Sequence, residues 1–499
     1  MKKKLDKKNI TITERMKFTF IFSLSSTIII HLFMLVNNLK NHDSLWHFYG
    51  DMDLSSSGRF TLKYLGSLSS YFDLHYLNLL ISCIFLSLGL VLIIEIFNIV
   101  NKKNIIMFIV IYAAFPSVSG IFSYAFTADA YYISFFLTLL AIYISTKNIW
   151  YNIGAVFLLY VALGTYQANL TLAVTMVVVI LIQRLMNNNN LDFKSFIKYI
   201  VTIVGGLLLY IIHFKIYQNK VGLTEYGGIN DAGVINFETI YLAAQKAVNA
   251  FNIFIFNNYS FTNLFEKLNL LYILLVLITL LIFVLTSKIK FKNFTLIIML
   301  IGLCPFYLYL IYFVSPSVFY HVLMLQNIPL MYLIGIFILE TNIFKSEIIY
   351  KVINKVAIII LFLIAFNLVV ITNIYYEKLS LINNYTNSLM TKVSYEIENI
   401  QRNSPLVDSL LVIGNPTTHI NLVESYNTKV PYNVGIGNIV FNEYTTTLYL
   451  NNFLGHELKT MDIQSEFVEI NAEEINEMSQ WPLSDSIKVI DNTIIIRFE

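Results

Sequence analysis

The stretch 150-WYNIGAVFLLYVALGTYQANLTLAVTMVVVILIQRL-185 decides how the chain is read. A helix rises 1.5 Å per residue and the hydrocarbon core of a bilayer is ~30 Å thick, so about 20 apolar residues suffice for one crossing. This run is too long for one crossing. Gly164 and the polar pair Tyr166-Gln167 stand at its middle, and they divide it into two short spans.

Outward from that stretch, apolar runs of crossing length recur at about 18–36, 76–100, 105–123, 131–145, 198–217, 269–286, 294–314, 322–340 and 354–374. With the divided run they make eleven crossings. Composition agrees, since 57% of the 499 residues are apolar and only 13% charged, against roughly 25% charged in soluble domains. The lysine-rich start, Lys2-Lys3-Lys4 and Lys7-Lys8, precedes the first run and has no small-residue cleavage site behind it, so it reads as an uncleaved signal anchor. Lys102-Lys103, Lys147, Arg184, Lys194, Lys198, Lys288, Lys290, Lys292, Lys345, Lys351 and Lys355 then fall in segments that alternate to the inside, and the short outside turns hold no lysine or arginine. The positive-inside bias gives a cytoplasmic N-terminus and an extracytoplasmic C-terminus. Two longer loops, 37–75 and 218–268, lie outside. The expected fold is an α-helical polytopic membrane domain over 1–374 and a small extracytoplasmic α/β domain over 375–499.

The second part differs in chemistry. Tyr375 to Glu499 carries sixteen acidic and seven basic residues and no membrane-length apolar run. Asn373 to Arg402 reads as a helix leaving the bilayer, Ser409 to Ile413 as a strand ending at Gly414, and Ser486 to Phe498 as a closing hairpin turned at Asp491-Asn492. Nothing in it is basic or aromatic enough for nucleic acid. Cys83 and Cys304 both lie in apolar runs, where they read as small buried hydrophobes.

The first outer loop, from Asn41-His42-Asp43-Ser44 through Asp51-Met52-Asp53 to Gly58-Arg59-Phe60, holds the most chemistry. Leu45, Phe48, Tyr49 and Met52 are helically spaced, as are Phe60, Tyr64, Leu68 and Phe72, which suggests two interfacial helices. Asp43 follows the first span closely, where a carboxylate can accept the proton of an attacking hydroxyl; a helix cap or a solvated loop acid is the alternative. Asp51 and Asp53, with His42 and His47, have the donor types of a metal site, although two-residue spacing is common by chance and no metal is expected. Arg59 can fork onto a phosphate or snorkel from an interfacial helix. In the second long loop, Tyr226-Gly227-Gly228 and the amphipathic run Phe237 to Phe256 form either a roof over the site or a structural interfacial helix.

His42-Asp43-Ser44, Gly58-Arg59-Phe60, Gly164-Thr165-Tyr166-Gln167-Ala168 and the closing Trp481-Pro482 with Ser486-Ile487 together resemble the GtrII glucosyltransferase family, in order and in placement. The resemblance implies a GT-C-like membrane glycosyltransferase that moves a sugar, glucose, from a polyprenyl-phosphate donor to a surface polysaccharide such as O-antigen. It implies Asp43 as catalytic base and Arg59, His42, Tyr166 and Gln167 as binding residues. Asp129, in Tyr124-Ala-Phe-Thr-Ala-Asp129-Ala-Tyr131, is expected as a second acid at the next outer turn, with a helix N-cap as the alternative. In Ser315-Pro-Ser-Val-Phe-Tyr-His321 an arginine is expected against the phosphate, and His321 stands there instead.

The partners implied are a lipid-linked sugar donor, a polysaccharide acceptor and membrane lipid. No phosphate-cradling glycine loop is present, which counts against a nucleotide donor, and no cofactor is expected. A transporter or flippase is the main rival reading, but paired repeats and midplane ionisable residues are not evident. His31 and His213 read as packing residues, and Glu95 reaches the inner interface. A polysaccharide polymerase or ligase, with the same donor, is the second rival.

Overall fold

The computed structural model describes residues 12–47, 50, 54–69, 71–188, 193–221, 236–256, 264–286, 289–340, 348–416 and 439–498. Its main helices are α1 (Glu14–Ile30), α2 (His75–Phe97), α3 (Lys102–Ala113), α4 (Pro116–Phe122), α5 (Ala125–Ser145), α6 (Ile149–Thr165), α7 (Asn169–Met186), α8 (Phe193–Val221), α9 (Phe237–Phe256), α10 (Phe265–Leu285), α11 (Phe291–Gly302), α12 (Ile348–Asn403) and α13 (Glu443–Leu454). Among the described residues six of them (α2, α5, α7, α8, α10 and α12) are long and apolar enough to cross a membrane, and α3 with α4 makes a seventh if that pair, bent by 50°, is one span. The bend has a local cause: Phe115 is extended and Pro116 opens α4, because a residue before proline avoids the helical region.

The long run that ends at Leu185 breaks where Tyr166 and Gln167 stand. α6 ends at Thr165, Tyr166 is extended, and α7 starts at Asn169. Two other runs depart from the expected continuous spans. Residues 294–314 hold α11, which ends at Gly302, then the short helices Cys304–Leu308 and Ile311–Val314. Residues 322–340 hold two 3-10 turns and then Leu333–Glu340. Pro305 and Pro329 occupy first turns there, and a proline cannot continue a helix arriving from before it. The eleven expected crossings thus correspond to six long helices, one bent pair and four shorter or broken helical segments.

α5 is the hub. It packs on α2, α6, α4 and α7, while α6 packs on α8 and α2 on α1, and most of its residues are buried. Serine and threonine hydroxyls along it donate to their own helix, as Ser134 Oγ does to the Tyr131 carbonyl (2.8 Å) and Thr138 Oγ1 to the Ser134 carbonyl (2.9 Å), so the polar side chains are satisfied inside an apolar bundle.

Polar contacts sort the loops onto two ends. At one, Arg15 clamps Glu95 through Nε and Nη2 (2.7 Å each), Glu340 accepts from Asn101 N and Asn104, Gln183 donates to the Phe97 carbonyl, Asn188 accepts from Lys290 N, and Lys198 donates to the Thr146 carbonyl. The described parts of the loops that these bonds join, among those expected inside, therefore share one end. At the other, Asn41 donates to the Ser123 carbonyl, Asn383 exchanges hydrogen bonds with the backbone of Lys40, and Asn452 donates to the Leu45 carbonyl. His31 and His213 are held as packing residues, the first between the Tyr376 hydroxyl and the Ala113 carbonyl, the second against the Tyr160 hydroxyl.

α12 is one helix of 56 residues, roughly 84 Å long at 1.5 Å per residue, and it runs from the bundle into the C-terminal domain. There a four-stranded sheet has the order β2 (Lys459–Thr460), β1 (Ser409–Ile413), β4 (Thr493–Arg497), β3 (Ile487–Ile490). β1 is parallel to β2 and β4, and β3 with β4 forms the expected hairpin. Its turn residues Asp491 and Asn492 both have positive φ, 44° and 62°, as a two-residue hairpin turn that follows strand twist requires.

Candidate active site

The described residues of loop 37–75 form short helical turns, and the first of the two expected interfacial helices falls largely outside them. Asn41 caps a short 3-10 helix, His42–Leu45, in a reciprocal box with Ser44. The cap is thus Asn41, and the neighbouring Asp43 is left with its side chain 40% exposed, its carboxylate 3.3 Å from His42 Nε2. His42 stands edge-on to the rings of Tyr124 and Phe441. Further on, Leu62–Gly66 is the one α-helical stretch of the loop among the described residues, followed by the 3-10 turn Ser67–Ser69. Phe60 is buried there, whereas Tyr64, Leu68 and Phe72 are exposed. Phe48, Tyr49, Asp51, Met52 and Asp53 lie outside the described residues, as does Tyr226-Gly227-Gly228. Among the described residues no three His, Cys, Asp or Glu side chains converge as metal ligands.

Two separated stretches meet directly. Ser55–Ser57 forms a 3-10 turn, Gly58 adopts φ +78°, and Arg59 closes the loop by donating its N–H to the Leu54 carbonyl (3.1 Å). Gln167 Nε2 reaches this loop from the α6–α7 break, donating to the Ser57 carbonyl (3.0 Å) and the Tyr210 hydroxyl (3.1 Å). A Cβ at Gly58 would sit 2.5 Å from Tyr210 Oη and 2.9 Å from Gln167 Nε2, and one at Gly164 would sit 2.5 Å from the Phe60 ring. Thr61 completes the junction: its N–H donates to the Gly164 carbonyl (3.0 Å), and its hydroxyl to the Val161 carbonyl (2.8 Å). Glycine stands at both positions because the backbones and rings approach too closely for a side chain.

This junction aims Arg59. Its guanidinium donates to the Tyr131 hydroxyl (3.0 Å) and lies 5.6 Å over the Tyr166 ring, and Tyr166 stacks on Tyr131 with centroids 4.3 Å apart. His321 faces the same place from the turn before Val322. Burial holds its imidazole below the usual range, the Arg59 cation adds to that, and Asp43 opposes it, so the guanidinium, imidazole and carboxylate lie within one electrostatic neighbourhood. A neutral imidazole can still donate one N–H to an anion. α9 buttresses that turn, since Lys246 Nζ donates to the Pro316 carbonyl (2.6 Å). The helix buries Ala243, Ala247, Ala250 and Phe254, packing on Cys304–Leu308, Ile311–Val314 and α10.

Asp129 is placed differently from expectation. It lies in the second turn of α5, neither at a turn nor at the cap, and is fully buried. Its Oδ1 accepts from the Ala130 N–H (2.8 Å); Oδ2 has no hydrogen-bond partner among the described residues. Asp73 and the Ser69 hydroxyl stand close by. Asp73 itself is a residue the sequence did not single out: it is buried and ion-paired with the equally buried Lys40. His47 stacks on Phe126 at 4.6 Å, its imidazole held below the ordinary range by burial while Asp43 and Asp73 pull the other way. Asp43, His42, Arg59, Tyr166, Gln167 and His321 thus gather at one end of the bundle, where Asp129, Asp73 and Lys40 form a separate buried group.

The model of the glucosyl transferase GtrII family matches residues 32–339. The chain belongs to the GtrII family. That match contains each residue of the convergent GtrII cluster, and it leaves out α1, the whole of α12, the sheet and the Trp481-Pro482 segment. Comparison with curated proteins and with solved structures returns no match. Membership of the GtrII family makes the protein a glucosyltransferase, and its long apolar helices are consistent with a membrane protein.

Proposed function

We propose that the protein is a GT-C-like enzyme of the cytoplasmic membrane that transfers glucose from a polyprenyl-phosphate donor to a surface polysaccharide, at the outer face. All eleven apolar segments cross or enter the bilayer in this reading, the N-terminus is cytoplasmic and residues 375–499 are extracytoplasmic. The observation that carries it is the interlock of the Gly58-Arg59 loop with Tyr166-Gln167, which holds a cation where His321 feels both it and the exposed carboxylate Asp43. Such a place lets a lipid tail stay in hydrocarbon while its phosphosugar reacts in water.

Asp43 takes the proton of an acceptor hydroxyl as that oxygen bonds to the anomeric carbon of glucose. The bond from that carbon to the phosphate oxygen breaks, and the lipid phosphate leaves with the bonding electron pair. Arg59, with His42 and His321, meets the charge on that phosphate. Tyr166 and Gln167 hold Arg59 in aim. Asp129, buried beneath, acts through its surroundings as a positioning residue for the loop that carries the acceptor. No step requires a metal, and Asp51 and Asp53 are given no role.

Expression in a cell whose surface polysaccharide lacks side branches tests the reading. Linkage analysis should find a new terminal glucose branch that depends on the host's polyprenyl-phosphate glucose. A lipid-linked sugar moved across the membrane with no new branch would favour the transporter reading instead.

A further inference from the structure

Beside Asp43 the C-terminal domain meets the first outer loop through aromatic rings. Trp46 and Tyr444 stand with centroids 6.4 Å apart, and Phe441 stands 5.8 Å from His42. All three large rings remain open to solvent, Trp46 at 51%, Phe441 at 41% and Tyr444 at 38%. In a 3-10 helix residues three apart eclipse, and Trp46 donates its N–H to the Asp43 carbonyl (3.1 Å), so the exposed indole follows Asp43 on one edge of the turn. The opposing side is equally fixed. Asn442 caps α13 in a reciprocal box with Thr445, and Asn452 ties that helix to the Leu45 carbonyl (3.3 Å).

We propose that Trp46, Phe441 and Tyr444 form a stacking platform for the pyranose rings of the acceptor, so that the C-terminal domain supplies part of the acceptor site. This rests on the glucosyltransferase reading above. A sugar ring offers an apolar C–H face and a polar rim, which suits amphipathic aromatic rings bordered by polar groups. The alternative occupant of exposed aromatics near a bilayer is lipid headgroup. Glu443 and Asp462 lie beside Tyr444, and residues 375–499 carry sixteen acidic against seven basic side chains, a charge that repels an anionic membrane surface. The platform pairs Trp46, inside the family match, with two residues beyond it, which places acceptor choice partly in the domain that the match leaves out.

The test uses the full chain in lipid nanodiscs, with polyprenyl-phosphate glucose as donor and oligosaccharide fragments of the host's surface polysaccharide as acceptor. Trp46→Ala and Tyr444→Ala should each raise the acceptor KM about tenfold with the donor KM within about twofold, and Trp46→Phe and Tyr444→Phe should restore most of the loss. An unchanged acceptor KM in both alanine variants overturns the platform, and so does a rise confined to the donor KM, which would assign the rings to lipid. A chain carrying Trp150→Phe and Trp481→Phe keeps Trp46 as its only indole, and its fluorescence should saturate with the oligosaccharide even without turnover. Binding without transfer would leave the platform standing and remove the glucosyl transfer; no fluorescence response overturns the platform itself.

Discussion

In the proposed mechanism Asp43 and Arg59 depend on neighbours that take no part in the chemistry. Asn41 takes the capping duty that would otherwise occupy Asp43, and Gly58 at φ +78° turns the loop so that Arg59 reaches Tyr131 and Tyr166. Gly58→Ala forces a side chain into a left-handed conformation, at about 1–2 kcal/mol, and against the Tyr210 hydroxyl besides. The variant should melt several degrees lower in a thermal-shift assay and transfer glucose at least tenfold more slowly. A melting temperature and rate equal to the parent's would mean that the junction does not aim Arg59. The glycines and the Tyr-Gln pair were legible in the sequence as a set, because the resemblance gathered them. The buried Lys40–Asp73 pair was not: no periodicity links two residues 33 positions apart in an irregular loop, and only the fold shows that both are withdrawn from solvent. Asp129 was legible as an acid, but its depth was not, since a carboxylate near a helix start looks the same in sequence whether it caps the helix or lies inside it.

The strands of the sheet and the closing hairpin followed their local signals closely. β1 has the expected bounds Ser409–Ile413, and the hairpin turns at Asp491-Asn492, because β-branched runs closed by turn residues leave few alternatives. The runs 294–314 and 322–340 misled because hydropathy averages over Gly302, Pro305 and Pro329, and those residues decide continuity. α12 carries the clearest test among the elements. Its Ser394 hydroxyl bonds His456 Nε2 at 2.6 Å, and burial holds that imidazole below its ordinary pKa of about 6.5, with Glu398 opposing. The folded pKa is the lower one, so the unfolded chain takes up a proton first on acidification. The contribution to stability is therefore intact above about pH 6.5 and falls as the pH drops through and below that value. Thermal melting of the C-terminal domain followed from pH 7.5 to 5.5 should show a fall in Tm that is smaller in His456→Gln. Equal acid sensitivity in both would remove this contact from the account.

Taken together, the elements give a bundle with two unlike ends. Basic loops gather at one through Arg15, Lys198 and Lys290, and the Asp43 loop gathers at the other with the acidic C-terminal domain docked beside it. The grouping of these loops at one end agrees with the charge bias of the sequence, from which a cytoplasmic side was expected for them. The docking of α13 on the Asp43 loop was not foreseen, since it depends on side-chain contacts between parts of the chain about 400 residues apart. Single cysteines at exposed Gln464 and Leu483 should react in intact cells with a membrane-impermeant thiol reagent, and cysteines at exposed Lys102 and Lys290 should not; Cys83 and Cys304 are buried. Labelling at Lys290 in intact cells would invert the orientation. The most direct measurement of the central claim is single-turnover transfer of labelled glucose from polyprenyl phosphate to acceptor, by the purified protein and by Asp43→Asn. Loss of a general base lowers the rate by ~10²–10⁴, so the variant should be slower by at least about a hundredfold while its melting temperature and donor affinity stay close to the parent's. A folded Asp43→Asn enzyme that transfers glucose at nearly the parent's rate would contradict the account.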